Sequence, residues 1–416
     1  MLPPVLELYV IWHPGDVAGL TIAKEFVEHF HGTPFTGLIG GAVEVFIRSE
    51  GWHSLDDAPR PIPTTQNPLP NKLDQAKFTA IAPLIGTEMA GAVESGSSSW
   101  RDYIEGITSR QRETPDRIGI FPYVIDQGAT NNTVLGMLLN PYQRIAASAA
   151  HVEGETDMTL RCRDLAQGIT QWISSPDNQR LTIFISHTKR ASPGDEEDTT
   201  ALVGLVRTVI MDTRLRSFFD ANDLQPGTEW DQELRAKAST SALLGIRTDL
   251  YPSREWCQRE ILIAKRHGMP VIILDAPGKG EERGSFLMDH VPRIPIRMEH
   301  GHWSKNDVYQ ALNLLVDECL KRALWMHQKE LSQGRPELHI AWWAHHAPEP
   351  LTLVHWFENA KRDGTLPHEG SDVRVLHPDP PLGPDERLVL EEVLSLARPG
   401  AKLDIMTPRL LAARGG

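Results

Sequence analysis

Short apolar runs alternate along the chain with segments in which apolar residues recur at helical spacing. This alternation predicts parallel sheets with helices on both faces, which is the α/β class of fold. In the first third of the chain it predicts strands at Leu6–Trp12, Val43–Arg48, Phe78–Ile85 and Ile118–Ile125, and helices at Ala18–Phe30 and Trp100–Arg112.

The pattern is clearest in the middle of the chain. Leu181–Ser186 is a continuous apolar run, which is typical of a strand buried on both faces. Further strands are predicted at Ser217–Asp220, Ser241–Thr248, Pro270–Asp275 and Ile294–Arg297, with a helix capped by Ser253 that runs to His267 and a long helix at Lys305–Ser332.

The last stretch repeats the pattern with strands at Leu338–Trp343, Asp372–His377 and Lys402–Met406, and helices at Leu351–Arg362 and Glu386–Ala397. It is short, so we expect its small core to dock on its neighbour. The predicted organisation is an α/β domain over 1–140, a helical connector over 141–178, a second domain over 179–332 and a small α/β unit over 333–416.

Composition narrows the class of protein. The chain has 416 residues, a formal net charge of −13 and 40% apolar residues, which is globular and argues against a broad nucleic-acid surface. No apolar run is long enough to span a membrane, and the N-terminus lacks the basic start of a secretory signal. The three cysteines are too widely spaced for a zinc site or a disulfide framework. We therefore expect a cytoplasmic protein without a bound metal.

Three motifs follow one another in the second domain. Phe184–His187 reads FISH at the end of a strand, Phe218–Trp230 contains a Pro-Gly turn, and Ser253–Glu260 reads SREWCQRE. Together they resemble the three sequence boxes of bacterial TIR (Toll/interleukin-1 receptor) domains. The resemblance implies that residues 179–332 form a flavodoxin-like domain with a parallel sheet, and that the flanking α/β units regulate it. The first unit itself faintly repeats the pattern, with Ile104 at the position of Glu260, and is interpreted as a degenerate TIR-like domain.

Many TIR domains of this kind cleave NAD⁺ at the nicotinamide–ribose bond, releasing nicotinamide and ADP-ribose or a cyclic isomer. Their essential glutamate corresponds to Glu260. A carboxylate can stabilise the positive charge that develops on the ribose, and nicotinamide leaves without a general acid. The resemblance implies NAD⁺ as substrate, no further cofactor, and a role in anti-phage defence. It also implies a homo-oligomer assembled through the TIR domain and activated by a protein or phage-derived trigger.

The resemblance assigns further residues to the site. The implied substrate-binding residues are Ser186, His187, Thr188, Asp220, Trp230 and Trp256, and the implied interface loop contains Leu224, Pro226 and Gly227. His187 and Trp256 have structural interpretations as well, as a strand-end histidine and as core packing. On the helix, Cys257, Ile261 and Ala264 share one face and are expected to pack on the sheet, with Trp256 and Glu260 on its flank at the rim of the core.

Two other functions are also consistent with these motifs. One is a non-catalytic TIR adaptor that binds partners through the Leu224–Gly227 loop, and the other is a different N-glycosidic enzyme, such as a nucleoside ribosyltransferase. Cys257 is interpreted as a small buried residue and not as a nucleophile, since no histidine partner is indicated. The aromatic pair Trp342–Trp343 is expected to be strand core more than a base-stacking platform.

Overall fold

The fold is given by a computed structural model. It describes residues 4–32, 35, 43–54, 57–63, 76–95, 99–146, 157–174, 181–188, 196–213, 215, 218–220, 238–280, 284–333, 338–368, 371–378 and 380–414. The strands of these residues form three parallel sheets and one short antiparallel pair, which confirms the α/β class. Among the helices described, none is both long and apolar enough to cross a bilayer.

The first sheet pairs its strands in parallel in the order β2-β1-β3-β5-β6, with β4 also on β3. These strands are β1 (Leu6–Ile11), β2 (Val43–Arg48), β3 (Phe78–Ile85), β4 (Ile118–Ile120), β5 (Tyr123–Val124) and β6 (Ile145–Ala146), and the helices are α1 (Val17–Phe30), α2 (Thr87–Glu94), α3 (Ser99–Glu113) and α4 (Val134–Leu138). Because β6 pairs with β5, this sheet extends past residue 140 to residue 146.

Two features of the first sheet differ from the prediction. The run Ile118–Ile125 is two strands, since Pro122 has no amide hydrogen to continue the ladder. Helix α2 was not predicted, and its cap comes from a distant part of the chain. The Asp16 carboxylate accepts hydrogen bonds of 3.0 Å from the amides of Glu88 and Met89 at the start of this helix.

Within the predicted connector, the chain forms helix α5 (Asp157–Ser174). Arg161 on this helix donates two hydrogen bonds, of 2.9 and 2.8 Å, to the carboxylate of Glu25 on α1. Leu165 and Ile169 on its other turns are fully buried in the core cluster that also contains residues of the first and second sheets. The helix therefore joins the two sheets through one continuous core.

The second sheet pairs its strands in parallel in the order β8-β7-β9-β10-β11. These strands are β7 (Ile183–His187), β8 (Phe218–Asp220), β9 (Ala242–Arg247), β10 (Val271–Asp275) and β11 (Arg293–Pro295). The helices of this unit are α6 (Glu196–Asp212), α7 (Glu255–Arg266) and α8 (Lys305–Gln333), and a short antiparallel pair is formed by β12 (Met298–Glu299) and β13 (His302–Trp303).

Strand β7 is buried on both faces, as its apolar run predicts. Ile183 and Ile185 belong to the main core cluster, whereas Phe184 between them belongs to a second cluster with residues of α7. The alternation follows from the two-residue period of a strand. One helix start differs from the prediction, because Ser253 ends a short 3₁₀ turn and Arg254 is the N-cap of α7. The Ser253 hydroxyl donates to the Leu250 carbonyl over 2.8 Å and so does not cap α7.

The third sheet has the order β14-β15-β16 and is also parallel. Its elements are β14 (Trp342–Trp343), β15 (Val373–Leu376), β16 (Leu403–Met406), α9 (Pro350–Arg362), α10 (Pro384–Ala397) and α11 (Pro408–Ala413). The predicted strand Leu338–Trp343 is reduced to its last two residues, because His339 has a φ of 48°, which interrupts an extended backbone. The unit docks on the second unit, where Trp343 packs 5.3 Å from Trp325 of α8.

Candidate active site

The candidate site lies where helix α7 crosses the carboxyl end of strand β7. Ser186 is on the same face of β7 as Phe184, which is the face that α7 covers. Glu260 is in the middle of α7, one residue before the buried Ile261. Ser186 is 1% exposed and Glu260 is 4% exposed. The predicted catalytic residue and one predicted substrate-binding residue are thus both inside the core, facing each other.

A chain of hydrogen bonds holds the Glu260 carboxylate. The Ser186 hydroxyl donates to Glu260 Oε2 in a short contact, and its oxygen lies 2.6 Å from the hydroxyl of Tyr251. Since the proton of Ser186 is used on the carboxylate, the Tyr251 hydroxyl donates to Ser186. The order of donors is therefore Tyr251, Ser186, Glu260, and it orients the carboxylate relative to the sheet.

Two acidic groups beside the carboxylate, the Tyr251 hydroxyl and the Cys257 thiol, are neutral. Burial raises the pKa of the Tyr251 hydroxyl well above its usual range, and the nearby Cys257 and Glu260 raise it further. Burial also raises the pKa of the Cys257 thiol, and the charge of Glu260 adds to this effect. Both groups keep their protons at neutral pH, so neither is an anion that competes with Glu260 for a developing positive charge.

Sequence reasoning missed Tyr251, although one signal was present. Gly245 interrupts the apolar strand β9, and a glycine inside a strand often marks a close approach. A Cβ atom at Gly245 would lie 3.0 Å from the Tyr251 hydroxyl and 2.7 Å from Ile273 Cδ1. The absence of a side chain at this position therefore makes room for the hydroxyl that contacts Ser186.

The packing of α7 confirms the face that was predicted to contact the sheet, but it differs from the prediction for Trp256 and Glu260 beside that face. Cys257, Ile261 and Ala264 are buried against the sheet as expected. Glu260, however, is inside the core and not at its rim, whereas Trp256 is 43% exposed. On a helix with 100° per residue, Glu260 is rotated about 60° from Cys257 and Trp256 about 100° in the same direction. The further rotation of about 40° leaves Trp256 at the surface, whereas Glu260 stays inside the contact with the sheet.

Trp256 contributes to a surface cluster. The guanidinium carbon of Arg259 lies 4.7 Å from the centre of the Trp256 ring, and Arg259 also forms a 3.2 Å ion pair with Glu255. A cation over an indole face is favourable by about 0.5–1 kcal/mol at exposed sites. Trp256 thus lies at the solvent side of α7, so its interpretation as core packing is wrong, and its assignment to substrate binding stays a prediction.

The other predicted residues of the first motif lie beside Ser186. The His187 ring donates from Nδ1 to the Thr188 carbonyl over 3.1 Å, a local backbone contact. Thr188 is buried, and its hydroxyl is 3.3 Å from that of Thr248 at the end of the neighbouring strand β9. The carboxyl ends of β7 and β9 are therefore lined by hydroxyl groups, which can bind ribose or phosphate oxygens.

The remaining predicted residues belong to the end of β8 and to the segment after it. The backbone of Asp220 pairs with Ile185 in the sheet. Leu224, Pro226, Gly227 and Trp230 lie outside the described residues, so their assignment to an interface loop and to substrate contact remains a prediction. Within the described part of the chain, no group of three His, Cys, Asp or Glu residues has the arrangement to hold a metal ion.

The faint repeat in the first unit agrees with the second unit in one position only. Ile104 on α3 is buried, as Glu260 is on α7. Trp100, which falls at the position of Trp256 when Ile104 is aligned with Glu260, is fully buried, whereas Trp256 is 43% exposed. The two helices follow the third strand of sheets with similar order, but the first has an apolar side chain where the second has its carboxylate.

No protein-family model matches the chain, and no curated protein is significantly similar to it in sequence. The assignment of a function therefore rests on the motif residues and on the geometry around Glu260.

Proposed function

We propose that residues 179–332 form a TIR-like, flavodoxin-like domain that cleaves NAD⁺ to nicotinamide and ADP-ribose or a cyclic isomer. The strand order β8-β7-β9-β10-β11 supports the fold proposal, because it is the 2-1-3-4-5 order of flavodoxin-like sheets. In such sheets ligands bind at the carboxyl ends of the strands. The predicted residues Ser186 and Thr188 lie at this end, where Thr188 contacts Thr248 after the neighbouring strand.

The observation that carries the proposal is the buried Glu260 carboxylate held by Ser186. A desolvated and oriented anion stabilises a cation more strongly than a solvated one does. When the bond from ribose C1′ to the nicotinamide nitrogen breaks, its electron pair leaves with nicotinamide and C1′ becomes cationic. Water, or a nucleophilic atom of the same ligand, then attacks C1′ and releases a proton. Glu260 stabilises the cationic centre in this step.

The burial of Glu260 also bears on regulation. A carboxylate that is 4% exposed contacts a dinucleotide only after neighbouring residues move. We therefore propose that the enzyme is activated by assembly, through a partner protein or a phage-derived trigger, as a cytoplasmic effector of anti-phage defence. An inactive resting state would protect the host cell from loss of NAD⁺.

The direct test is to incubate the purified chain at high concentration with NAD⁺ and to measure nicotinamide. Parallel incubations with NADP⁺, nicotinamide riboside and a purine nucleoside define the substrate. Release of nicotinamide from NAD⁺ supports the proposal. Release of a purine base alone favours a nucleoside ribosyltransferase, and no release from any substrate in an assembled preparation favours a non-catalytic adaptor.

Leu224 provides a test of assembly. We expect the specific activity of the wild-type chain to rise with protein concentration, and the Leu224→Asp variant to lose this rise because a charge is costly at a packed apolar contact. The monomer should keep its thermal stability. Leu388→Asp is the control, because it adds the same charge at a leucine that is 54% exposed. A wild-type rate that is independent of concentration contradicts activation by assembly.

Cys257 separates a carboxylate mechanism from a thiolate mechanism. Because the Cys257 thiol is buried and its pKa is raised, we expect the Cys257→Ala variant to keep nicotinamide release within a few-fold of wild type. In the native chain, iodoacetamide should label Cys257 only slowly, as measured by peptide mass spectrometry. Loss of activity in a folded Cys257→Ala variant, together with rapid labelling, would indicate a covalent mechanism.

A further inference from the structure

A second cleft lies at the other end of helix α7 from the candidate active site. It has a volume of about 570 Å³, which is in the range of small-molecule sites. Its walls come from the end of α7, the amino end of β10, helix α8 and the third unit. Because the strands are parallel, the cleft lies at their amino ends, whereas Ser186 lies near the carboxyl end of β7.

The cleft is positively charged in a negatively charged protein. Five lysine and arginine side chains line it, against three glutamates, whereas the whole chain has a net charge of −13. Each glutamate has a nitrogen partner: Glu349 contacts Lys265 at 2.8 Å, Glu386 contacts the His290 ring at 3.2 Å and Glu318 contacts Lys321 at 2.6 Å. The remaining cations of the cleft dominate its electrostatic field.

Arg322 is the most informative of these cations. Its Nε donates to the Gly268 carbonyl over 2.7 Å, which fixes the guanidinium at the cleft wall. Burial lowers the pKa of Arg322, and in the described part of the chain no carboxylate forms an ion pair with it. A partly buried guanidinium whose described partner is a carbonyl keeps donors that can bind an anion.

The surroundings of His345 in the cleft are also positively charged. Its ring packs against Gly268, and its Nδ1 atom is buried and has no hydrogen-bond partner within the residues described. The pKa of His345 is lowered to about 4, mainly by burial and in smaller part by the neighbouring His346, Arg322 and Lys329. The surroundings of this ring thus favour an added negative charge.

Aromatic side chains line the wall contributed by the third unit. Trp342 and Trp356 are stacked, with ring centres 5.4 Å apart and planes at 14°, and both are only half-buried. Trp343 also lines the cleft. The expectation that Trp342–Trp343 is strand core is therefore incomplete, since both indoles reach the cleft surface. Indole faces stack on heteroaromatic bases.

We propose that this cleft is a binding site for a nucleotide, with the phosphates at Arg322 and the base at Trp342 and Trp356. The proposal follows from the juxtaposition, around one cleft of suitable volume, of stacked indoles and a guanidinium that has no carboxylate partner among the described residues. It does not depend on NAD⁺ cleavage, since these residues line a cleft at the amino end of β10 and Glu260 is not among them. Lys265 at the cleft belongs to α7, which also carries Glu260, so a bound nucleotide would contact the helix of the candidate active site.

The test is isothermal titration of the full-length chain with ATP, inorganic tripolyphosphate and adenosine. ATP should bind more tightly than either fragment, because it uses both walls of the cleft. Arg322→Gln should weaken ATP binding on the order of tenfold or more, as expected for hydrogen bonds to a charged group. Trp356→Leu should weaken it about tenfold, whereas Trp356→Phe, which keeps an aromatic face, should bind nearly as wild type does.

Arg362→Gln is the matched control, because Arg362 is on the same helix as Trp356 but is exposed and outside the cleft. Thermal unfolding of each variant establishes that it is folded. Tripolyphosphate that binds as tightly as ATP, with no effect of Trp356→Leu, overturns the nucleotide assignment. ATP binding that is absent, or unchanged in both Arg322→Gln and Trp356→Leu, overturns the site itself.

Discussion

Replacing Glu260 by glutamine is expected to lower the rate of nicotinamide release by about 10²–10³-fold, the usual effect of losing one fixed electrostatic contact. The glutamine keeps the shape of the side chain and still accepts the hydrogen bond from Ser186, so only the charge is lost. NAD⁺ binding should change much less, because the contact strengthens only as the ribose becomes cationic. Stability should hold or rise slightly, since a buried charge is removed.

The chain offers a control on the same helix. Glu255 is 79% exposed by side chain and is paired only at the surface with Arg259, so Glu255→Gln should keep the wild-type rate. In cells in which the activated wild type drains NAD⁺, Glu260→Gln should be non-toxic and Glu255→Gln toxic. A Glu260→Gln protein that releases nicotinamide at the wild-type rate would exclude the proposed mechanism and favour the adaptor.

Replacing Lys265 by alanine is expected to destabilise the chain by about 3 kcal/mol, near the lower end for breaking a buried ion pair. The Lys265 ammonium lies 2.8 and 3.0 Å from the two oxygens of Glu349 and 2.7 Å from the Asp289 carbonyl. The side chains of Lys265 and Glu349 are 7% and 14% exposed, so removing the ammonium leaves a mostly buried carboxylate without its partner. Urea unfolding followed by tryptophan fluorescence measures the change.

A double replacement distinguishes the ion pair from simple loss of packing. Lys265→Met with Glu349→Leu should cost less than Lys265→Ala alone, because apolar side chains often replace a buried pair at little cost. Arg101→Ala, which removes a half-exposed pair with Glu105, should change stability by less than about 1 kcal/mol. Equal losses for Lys265→Ala and Arg101→Ala would show that the Lys265–Glu349 contact does not hold the third unit on the second.

The local pattern of apolar and polar residues predicts most of the strands and helices. The continuous apolar run at β7 predicts a strand that is buried on both faces, and Ile183 and Phe184 pack into different clusters as a two-residue period requires. Apolar residues at helical spacing placed α8 within a residue of its observed end. The sequence also pointed to Ser186 and Glu260 as candidates, because each lies within a short continuous motif that can be read along the chain.

Only the tertiary structure decided how these residues meet. Ser186 and Glu260 are on different elements, so their hydrogen bond depends on where α7 crosses β7, and the rotation of α7 by a few tens of degrees determines that Glu260 is buried and Trp256 exposed. Tyr251 reaches Ser186 because Gly245 leaves space beside it. The cap of α2 by Asp16 and the cleft around Arg322 likewise join residues that are distant in sequence. Periodicity determines which face of one element is apolar, whereas contacts between elements depend on the packing of the whole chain.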